Sequence, residues 1–256
     1  MPIILKTKDE IQTMHEGGRR HAEILRALAE MVTPGMSALV LEEEALRLIK
    51  AHGDKPAHLN YTPEGARRPF PAALCISLND EIVHGIPNEK EKILRQGDIV
   101  SIDLSLNHNG LITDSAITVP VGAIDDESKK LLKVTEMALL EGIRAALPGN
   151  TVGDIGEAIS DVVEASQFSL ADDLAGHGVG KSLHEEPMVP NIGVSGEGEK
   201  LVPGMVIAIE PMVNVGGPEI IDTDDGYTLK TRDGSRSAHF EHTVAITEKG
   251  NIILTQ

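Results

Sequence analysis

Four carboxylates stand in apolar, strand-like surroundings: Asp103 in DIVSIDLS, Asp114 in ITDSAITV, Glu210 in MVIAIEPM and Glu241 in HFEHTVAIT. Burying a charge in such company is costly unless it is paired. Four of them with a nearby histidine make a hard, oxygen-rich site for one or two divalent ions. Ions held there can polarise a carbonyl and supply hydroxide at neutral pH. Between Asp103 and Asp114, Asn107-His108-Asn109-Gly110 is a strong hairpin signal. A four-residue loop sets Asp103 opposite Asp114. A two-residue Asn109-Gly110 loop sets Ser105 opposite Asp114 and makes Asp103 a diagonal neighbour. Either register puts both carboxylates on one face, because strand side chains alternate. Carboxylates so placed repel each other and need a proton or a cation between them.

Histidines supply the other candidates. His84 lies in VHGIP, and His177 and His184 lie in GHGVGKSLHEEP, where glycines flank His177 and let the backbone approach a metal or ligand closely. His15, His21, His52, His58 and His108 read as core or surface histidines. His239 and His242 flank Glu241 and are expected on the face opposite it, His242 as a structural residue. The segment 175–182, AGHGVGKS, fits a relaxed phosphate-binding loop, but SLADDL before it is no buried strand and Pro187 and Pro190 leave little room for a helix after it. Cys75, in AALCISL, has no basic activator beside it in sequence and reads as a buried structural thiol.

The elements that must position these residues repeat. Apolar residues Ile11, Met14, Ala22, Leu25, Leu28 and Met31 mark a helix over 9–32, which Pro34-Gly35 ends; Ser37 caps a second over about 37–51. The second half does the same, with a helix from Asp126 to Leu147, Pro148-Gly149, and Thr151 capping a helix through about Ser166. Strands follow in both halves, 98–105 and 205–210. Asp103 stands as far beyond Gly97 as Glu210 beyond Gly204, so each half is expected to end a strand on a carboxylate. A further carboxylate strand follows in each half. The expectation is an α+β protein of one domain, 1–256, with pseudo-symmetric halves of about 1–123 and 124–256. Each half packs helices on an antiparallel sheet, and a pseudo-twofold axis would gather the four acids.

Composition bounds the function classes. A 41% hydrophobic content excludes a disordered chain, and two Tyr and three Phe leave the core to aliphatic residues. A net charge of −17 argues against a general nucleic-acid grip, so no DNA partner is expected. One cysteine excludes an intrachain disulfide and fits a reducing compartment. No apolar run is long enough to span a bilayer, and the start lacks a secretory pattern. These features predict a cytoplasmic protein with no membrane partner.

NDEIVHGIP (79–87), residues 98–119, GHGVGKSLHEEP (176–187), GMVIAIEPM (204–212) and SAHFEHTVAIT (237–247) resemble the methionine aminopeptidases, as do LKTKDEIQTMHEGGRRHAEIL and PGMSALVLEE nearer the start. The likeness covers nearly the whole chain, and the short span from His184 to Glu210 resembles the bacterial-style type I form. It implies the pita-bread fold and a two-metal site of Asp103, Asp114, His177, Glu210 and Glu241. Asp114 and Glu241 would bridge both ions, Asp103 would complete one, and His177 with Glu210 the other. The ions would be Mn, Fe(II), Co or Zn. A bridging hydroxide would attack the first peptide carbonyl, with Glu210 shuttling a proton. His184 would hydrogen-bond the carbonyl or oxyanion and His84 would position the scissile amide. The resemblance further implies nascent chains bearing Met before a small residue as substrates, the ribosome near its exit tunnel as a partner, and a monomer. Met1 precedes Pro2, so the chain fits its own substrate class. Tyr61, Phe70 and Tyr227 would line the methionine pocket. The stretch YTPEGARRPF (61–70) is longer than the family's usual one, Tyr227 stands where many relatives carry Trp, and His239 where Gln is common. The rivals are a prolidase or aminopeptidase P, which usually carry a further amino-terminal domain, and a catalytically dead binding module.

Overall fold

Local capping starts the helices where the sequence predicts. α1 (Lys8–Met31) begins at a capping box, with the Glu10 N–H donating to Thr7 Oγ1 and the Thr7 N–H to the Glu10 carboxylate. Ser37 caps α2 (Ala38–His52), and Gly53 ends it in the left-handed region at φ 76°. Asp125 caps α3 (Asp126–Ala145), and Thr151 caps α4 (Val152–Ser166) through a second capping box. The computed structural model describes residues 2–63 and 65–256; Met1 and Glu64, both within motifs named above, lie outside them.

The first helix pair is followed by β1 (Lys55–Pro56), β2 (Leu74–Leu78), β3 (Glu81–Val83), β4 (Ile99–His108) and β5 (Leu111–Pro120). The second pair is followed by β6 (Ser169–Leu170), β7 (Ala175–Gly178), β8 (Glu185–Pro190), β9 (Val206–Ile209), β10 (Met212–Asn214), β11 (Ile220–Asp222), β12 (Leu229–Thr231), β13 (Ser237–His239), β14 (His242–Thr247) and β15 (Gly250–Ile253). The pairings among these strands are antiparallel. β1 and β2 share one edge of β4 while β5 runs along the other. A five-stranded sheet runs β15-β14-β9-β7-β8, and two three-stranded sheets run β13-β10-β6 and β11-β12-β3. Leu25, Leu28, Leu41 and Ile49 of α1 and α2 share a core with Leu74, Ile76, Ile102 and Leu104 of β2 and β4. Leu139, Ile143, Ile155 and Ile159 of α3 and α4 share another with Ile207, Val213 and Val244. This is the α+β pattern of helix pairs on antiparallel sheets, repeated once.

The β4–β5 hairpin takes the two-residue loop. His108 pairs with Leu111, and Asn109 (φ 52°) and Gly110 (φ 87°) occupy the left-handed positions of that tight turn. Ser105 therefore lies opposite Asp114, and Asp103 opposite Ala116.

Two expectations need correction. Asp103 stands inside β4, not at a strand end; only Glu210 follows directly on the last residue of its strand. HFEHTVAIT is also not one strand. It breaks at Phe240-Glu241, where the chain leaves β13, paired with β10, for β14, paired with β9. Glu210-Pro211 breaks the partner chain between β9 and β10 at the same level, since Met212 faces His239 and Ile209 faces His242. A matched pair of breaks in two neighbouring chains frees Glu210 and Glu241 from the ladder.

Hydroxyl groups join the halves. Thr243 Oγ1 accepts from the Asp114 N–H and donates to the Asp114 carbonyl, at 2.8 and 2.7 Å. Ser115 Oγ donates to the Glu241 carbonyl and Thr118 Oγ1 to that of His239. The Glu241 N–H donates to the Ala116 carbonyl at 2.9 Å. β5 is thereby laced to β13 and β14, so the carboxylates of the two halves face one another.

Candidate metal centre

Asp103 and Asp114 come from the hairpin, Glu210 and Glu241 from the paired breaks, and His177 from β7. They line one cleft of about 360 Å³ together with His58, His84, His184 and His239. The glycines beside His177 serve strand packing: a Cβ on Gly176 would stand 2.2 Å from the Ala208 carbonyl oxygen, and one on Gly178 2.2 Å from that of Glu186. His177 is thus pressed between β9 and β8. Its Nδ1–H donates to the Gly178 carbonyl at 2.9 Å, which leaves the Nε2 lone pair for the cleft. Nε2 lies 3.4 Å from Glu210 Oε1 and 3.9 Å from Asp114 Oδ2.

The electrostatics demand a cation. Burial, with Ser105 and backbone hydrogen bonds opposing it, lifts Asp114 to about 8, and burial lifts Glu210 to about 8. Burial and the neighbouring carboxylates push Asp103 and Glu241 well above the usual carboxylate range. Burial holds His177 and His239 down to about 3, so both imidazoles are neutral donors. Among the described residues Asp103 Oδ1, Glu241 Oε1 and His239 Nε2 are buried without a hydrogen-bond partner. Donor atoms of Asp114, His177 and Glu241 lie within 4.8 Å of one another, and so do those of Glu210, His239 and Glu241. Orphaned, crowded oxygens and neutral imidazoles are the donor set that divalent ions take up.

His184 approaches from the loop between β7 and β8. Its ring meets that of His177 edge-on at 4.4 Å, and its Nδ1 hydrogen-bonds the Tyr61 hydroxyl at 2.8 Å. Glu185 fixes that loop: one oxygen accepts the Lys181 and Ser182 N–H groups, the other the buried Lys6 ammonium. The phosphate-loop look-alike is strand–loop–strand, with no helix to receive an anion. His84 lines the cleft at φ 59°, a strained backbone for a residue with a side chain.

The long 61–70 stretch leaves Tyr61 and Phe70 side by side, because the Phe70 N–H donates to the Tyr61 carbonyl at 2.8 Å and the Asn60 N–H to that of Phe70. Phe70 packs edge-on against Tyr227 at 5.1 Å and tilted against His58 at 5.9 Å. Of the three aromatics only Tyr61 reaches a cleft side chain by hydrogen bond; Phe70 stands behind His58, and Tyr227 behind Phe70.

Sequence reasoning missed two cleft residues. His239 is expected opposite Glu241, yet it stands two positions before it, so alternation along the single strand expected there already puts the two on one face, and the cleft holds both. Its Nε2 lies 3.4 Å from Glu210 Oε2. His58 was assigned to core or surface. It is buried, but it lines the cleft, and its ring hydrogen-bonds Ser105 Oγ at 3.0 Å. Alternation could have found the first; only tertiary pairing places the second.

The sequence profile of metallopeptidase family M24 matches residues 12–248. The chain is 48% identical to a methionine aminopeptidase of Aquifex aeolicus (strain VF5), over 100% of both sequences. It is 45% identical to methionine aminopeptidase 1 of Bacillus subtilis (strain 168), over 99% of each. The crystal structure of methionine aminopeptidase from Thermotoga maritima matches with a TM-score of 0.94 and 40% identity, covering 100% of both chains. A prolidase from Pyrococcus horikoshii OT3 matches with a TM-score of 0.75 and 23% identity over 99% of this chain and 63% of that one, a likeness of fold alone. Likeness of this extent, running through every motif that supplies a cleft carboxylate, makes the chain a member of metallopeptidase family M24 and, within its pita-bread fold, of the methionine aminopeptidases, metal-dependent exopeptidase hydrolases.

Proposed function

We propose that the protein removes the initiator methionine from chains whose second residue is small, using two divalent ions held by Asp103, Asp114, His177, Glu210 and Glu241. The observation that carries this reading is that Glu241 belongs to two three-residue donor groups of the cleft, that of Asp114 and His177 and that of Glu210 and His239, where one carboxylate would serve two ions. Bound there, divalent ions polarise the scissile carbonyl and acidify a water. The chain's own residues do the rest. Glu210 takes a proton from the nucleophile side and returns it to the leaving amine. His184, with Nδ1 engaged by Tyr61, presents Nε2 to the carbonyl oxygen, and His84 orients the amide. Tyr61, Phe70 and Tyr227 shape the methionine subsite, Phe70 acting through His58 and Tyr227 through Phe70. The proposal takes residues 1–256 as one catalytic domain, because the cleft takes donors from both halves and hydroxyls lace them together. Action in the cytoplasm, by a monomer, on chains leaving the ribosome belongs to the same proposal. It rests on the family and not on charge, since −17 offers no grip on RNA.

The test is methionine release from Met-Ala-Ser by chelated enzyme, with Mn(II) or Co(II) added back, beside an Ala-Pro-Ala peptide and the Glu210→Ala variant. Metal-dependent release lost in the variant is expected. Cleavage of the proline peptide alone would transfer the chain to the prolidase-like reading, and inertness with every metal to that of a binding module.

A further inference from the structure

A second donor cluster of different chemistry lies under the cleft floor. Cys75 and Asp103 are direct partners across the β2–β4 ladder, so thiol and carboxylate share one face. His58 arrives on the turn after β1, held to β4 by the Ala57 N–H donating to the Ser105 carbonyl at 2.8 Å. One imidazole nitrogen, the sulfur and one carboxylate oxygen of these residues lie within 4.8 Å of one another. All three side chains are buried, Asp103 with 7% exposure, and Asp103 Oδ1 has no hydrogen-bond partner among the described residues. His58 and Asp103 line the cleft while Cys75 lies beneath, so an ion can enter by way of the cleft.

The hydrogen bonds around His58 leave it one lone pair. Ser105 Oγ donates to Asp114 Oδ1 at 2.7 Å, so toward the imidazole it accepts; His58 Nε2 stands 3.0 Å and Nδ1 3.3 Å from it, and a neutral ring offers it one N–H. Whichever nitrogen carries that proton, the other keeps a lone pair that Ser105, already donating to Asp114, does not engage as a donor. Imidazole, thiolate and one carboxylate oxygen, with the fourth position left to water, is a donor set for zinc-like ions, distinct from the hard carboxylate cage beside it.

We propose that His58, Cys75 and Asp103 form a subsite for a thiophilic divalent ion such as Zn(II), separate from the carboxylate centre and sharing only Asp103 with it. Binding forms one metal–sulfur bond, and the Cys75 proton leaves to solvent. Metal–ligand distances of about 2.0–2.3 Å require the three side chains to draw in by roughly 1 Å. An ion seated there takes an Asp103 oxygen from the neighbouring centre, so thiophilic ions beyond that centre's requirement act as inhibitors. The subsite needs only these three residues and stands whether or not the peptidase reading does.

Co(II) is the probe, and the readout is absorption instead of activity. The chelated full-length protein is titrated until the visible ligand-field bands of the carboxylate centre stop growing, and then further. Cys75 is the sole cysteine, so any thiolate-to-cobalt charge-transfer absorption in the near ultraviolet belongs to it. The expected result is such a band in the later phase, absent in Cys75→Ser and shifted to at least about tenfold weaker binding in His58→Phe. No thiolate band in the wild type at saturating Co(II) would overturn the proposal. So would a band that His58→Phe leaves unchanged, because it would report Cys75 binding cobalt without His58. Neither outcome depends on the folding of Cys75→Ser.

Discussion

At the scale of the residue, a carboxylate in this cleft is defined by what it lacks. Glu241 Oε1 and Asp103 Oδ1 are buried and unbonded, and the nearest cationic candidates are imidazoles that burial keeps neutral. His239 shows how a neighbour tunes such a site. Its Nε2 faces Glu210 Oε2 at 3.4 Å, so it can orient that carboxylate or take an ion beside it. His239→Gln keeps a donor of similar reach, and His239→Leu removes it. Second-layer partners of this kind are worth about 10–100-fold in metal affinity. Calorimetric titration of the chelated protein with Mn(II) is expected to show a loss of that order for Leu and a much smaller one for Gln. Equal losses would mean that His239 acts only as packing. The acids were legible in the sequence because a lone charge in an apolar alternating strand stands out, and His177 through its flanking glycines and the family resemblance. His58 was not, because its neighbours Ser105 and Asp103 reach it only through a strand pairing that no local pattern encodes.

At the scale of the element, helices and the first hairpin follow local rules, and the second carboxylate strand does not. Capping residues and Pro-Gly stops define the four helices to within about two residues. Asn109-Gly110 decides the hairpin register. HFEHTVAIT alternates like one strand, yet its two ends pair with different sheets. Nothing in its own sequence marks the break at Phe240-Glu241, because the partner break at Glu210-Pro211 lies in another segment. The hydroxyl lacing that sets the halves face to face is equally non-local. Thr243 is the buried member that makes two of those bonds to the Asp114 backbone. Thr243→Val keeps the shape and leaves an N–H and a C=O of Asp114 without that partner. Each such orphan costs about 1–3 kcal/mol, so the variant is expected to lose about 2–6 kcal/mol in urea unfolding and to bind metal more weakly. A loss under about 0.5 kcal/mol would show that the seam is held by packing alone.

At the scale of the whole molecule, the cleft couples stability to protons and metal. Asp114 and Glu210 stand at about 8 in the folded, metal-free protein, against roughly 3.9 and 4.3 in an unfolded chain. Between those values the folded state holds protons that the unfolded chain has released. Their contribution is full below the unfolded values and is lost as pH rises toward 8. The buried histidines act in the opposite sense, because His177 and His239, held to about 3, cost stability only below their unfolded value of about 6.5. The two effects oppose each other between about pH 4 and 6.5; above that the carboxyls act alone, at about 1.4 kcal/mol per pH unit for each proton retained. The chelated protein is therefore expected to melt at progressively lower temperature from about pH 6.5 to 8. Saturating Mn(II) or Co(II) replaces those protons, and its binding strengthens as they leave, so the loaded protein should hold or raise its melting temperature over the same range. Scanning calorimetry at several pH values, with and without chelator, reads both slopes. A chelated protein whose melting temperature is flat or rises over that range would mean that the four acids keep their charges without a cation, and that the cleft is wetter and less crowded than its geometry implies.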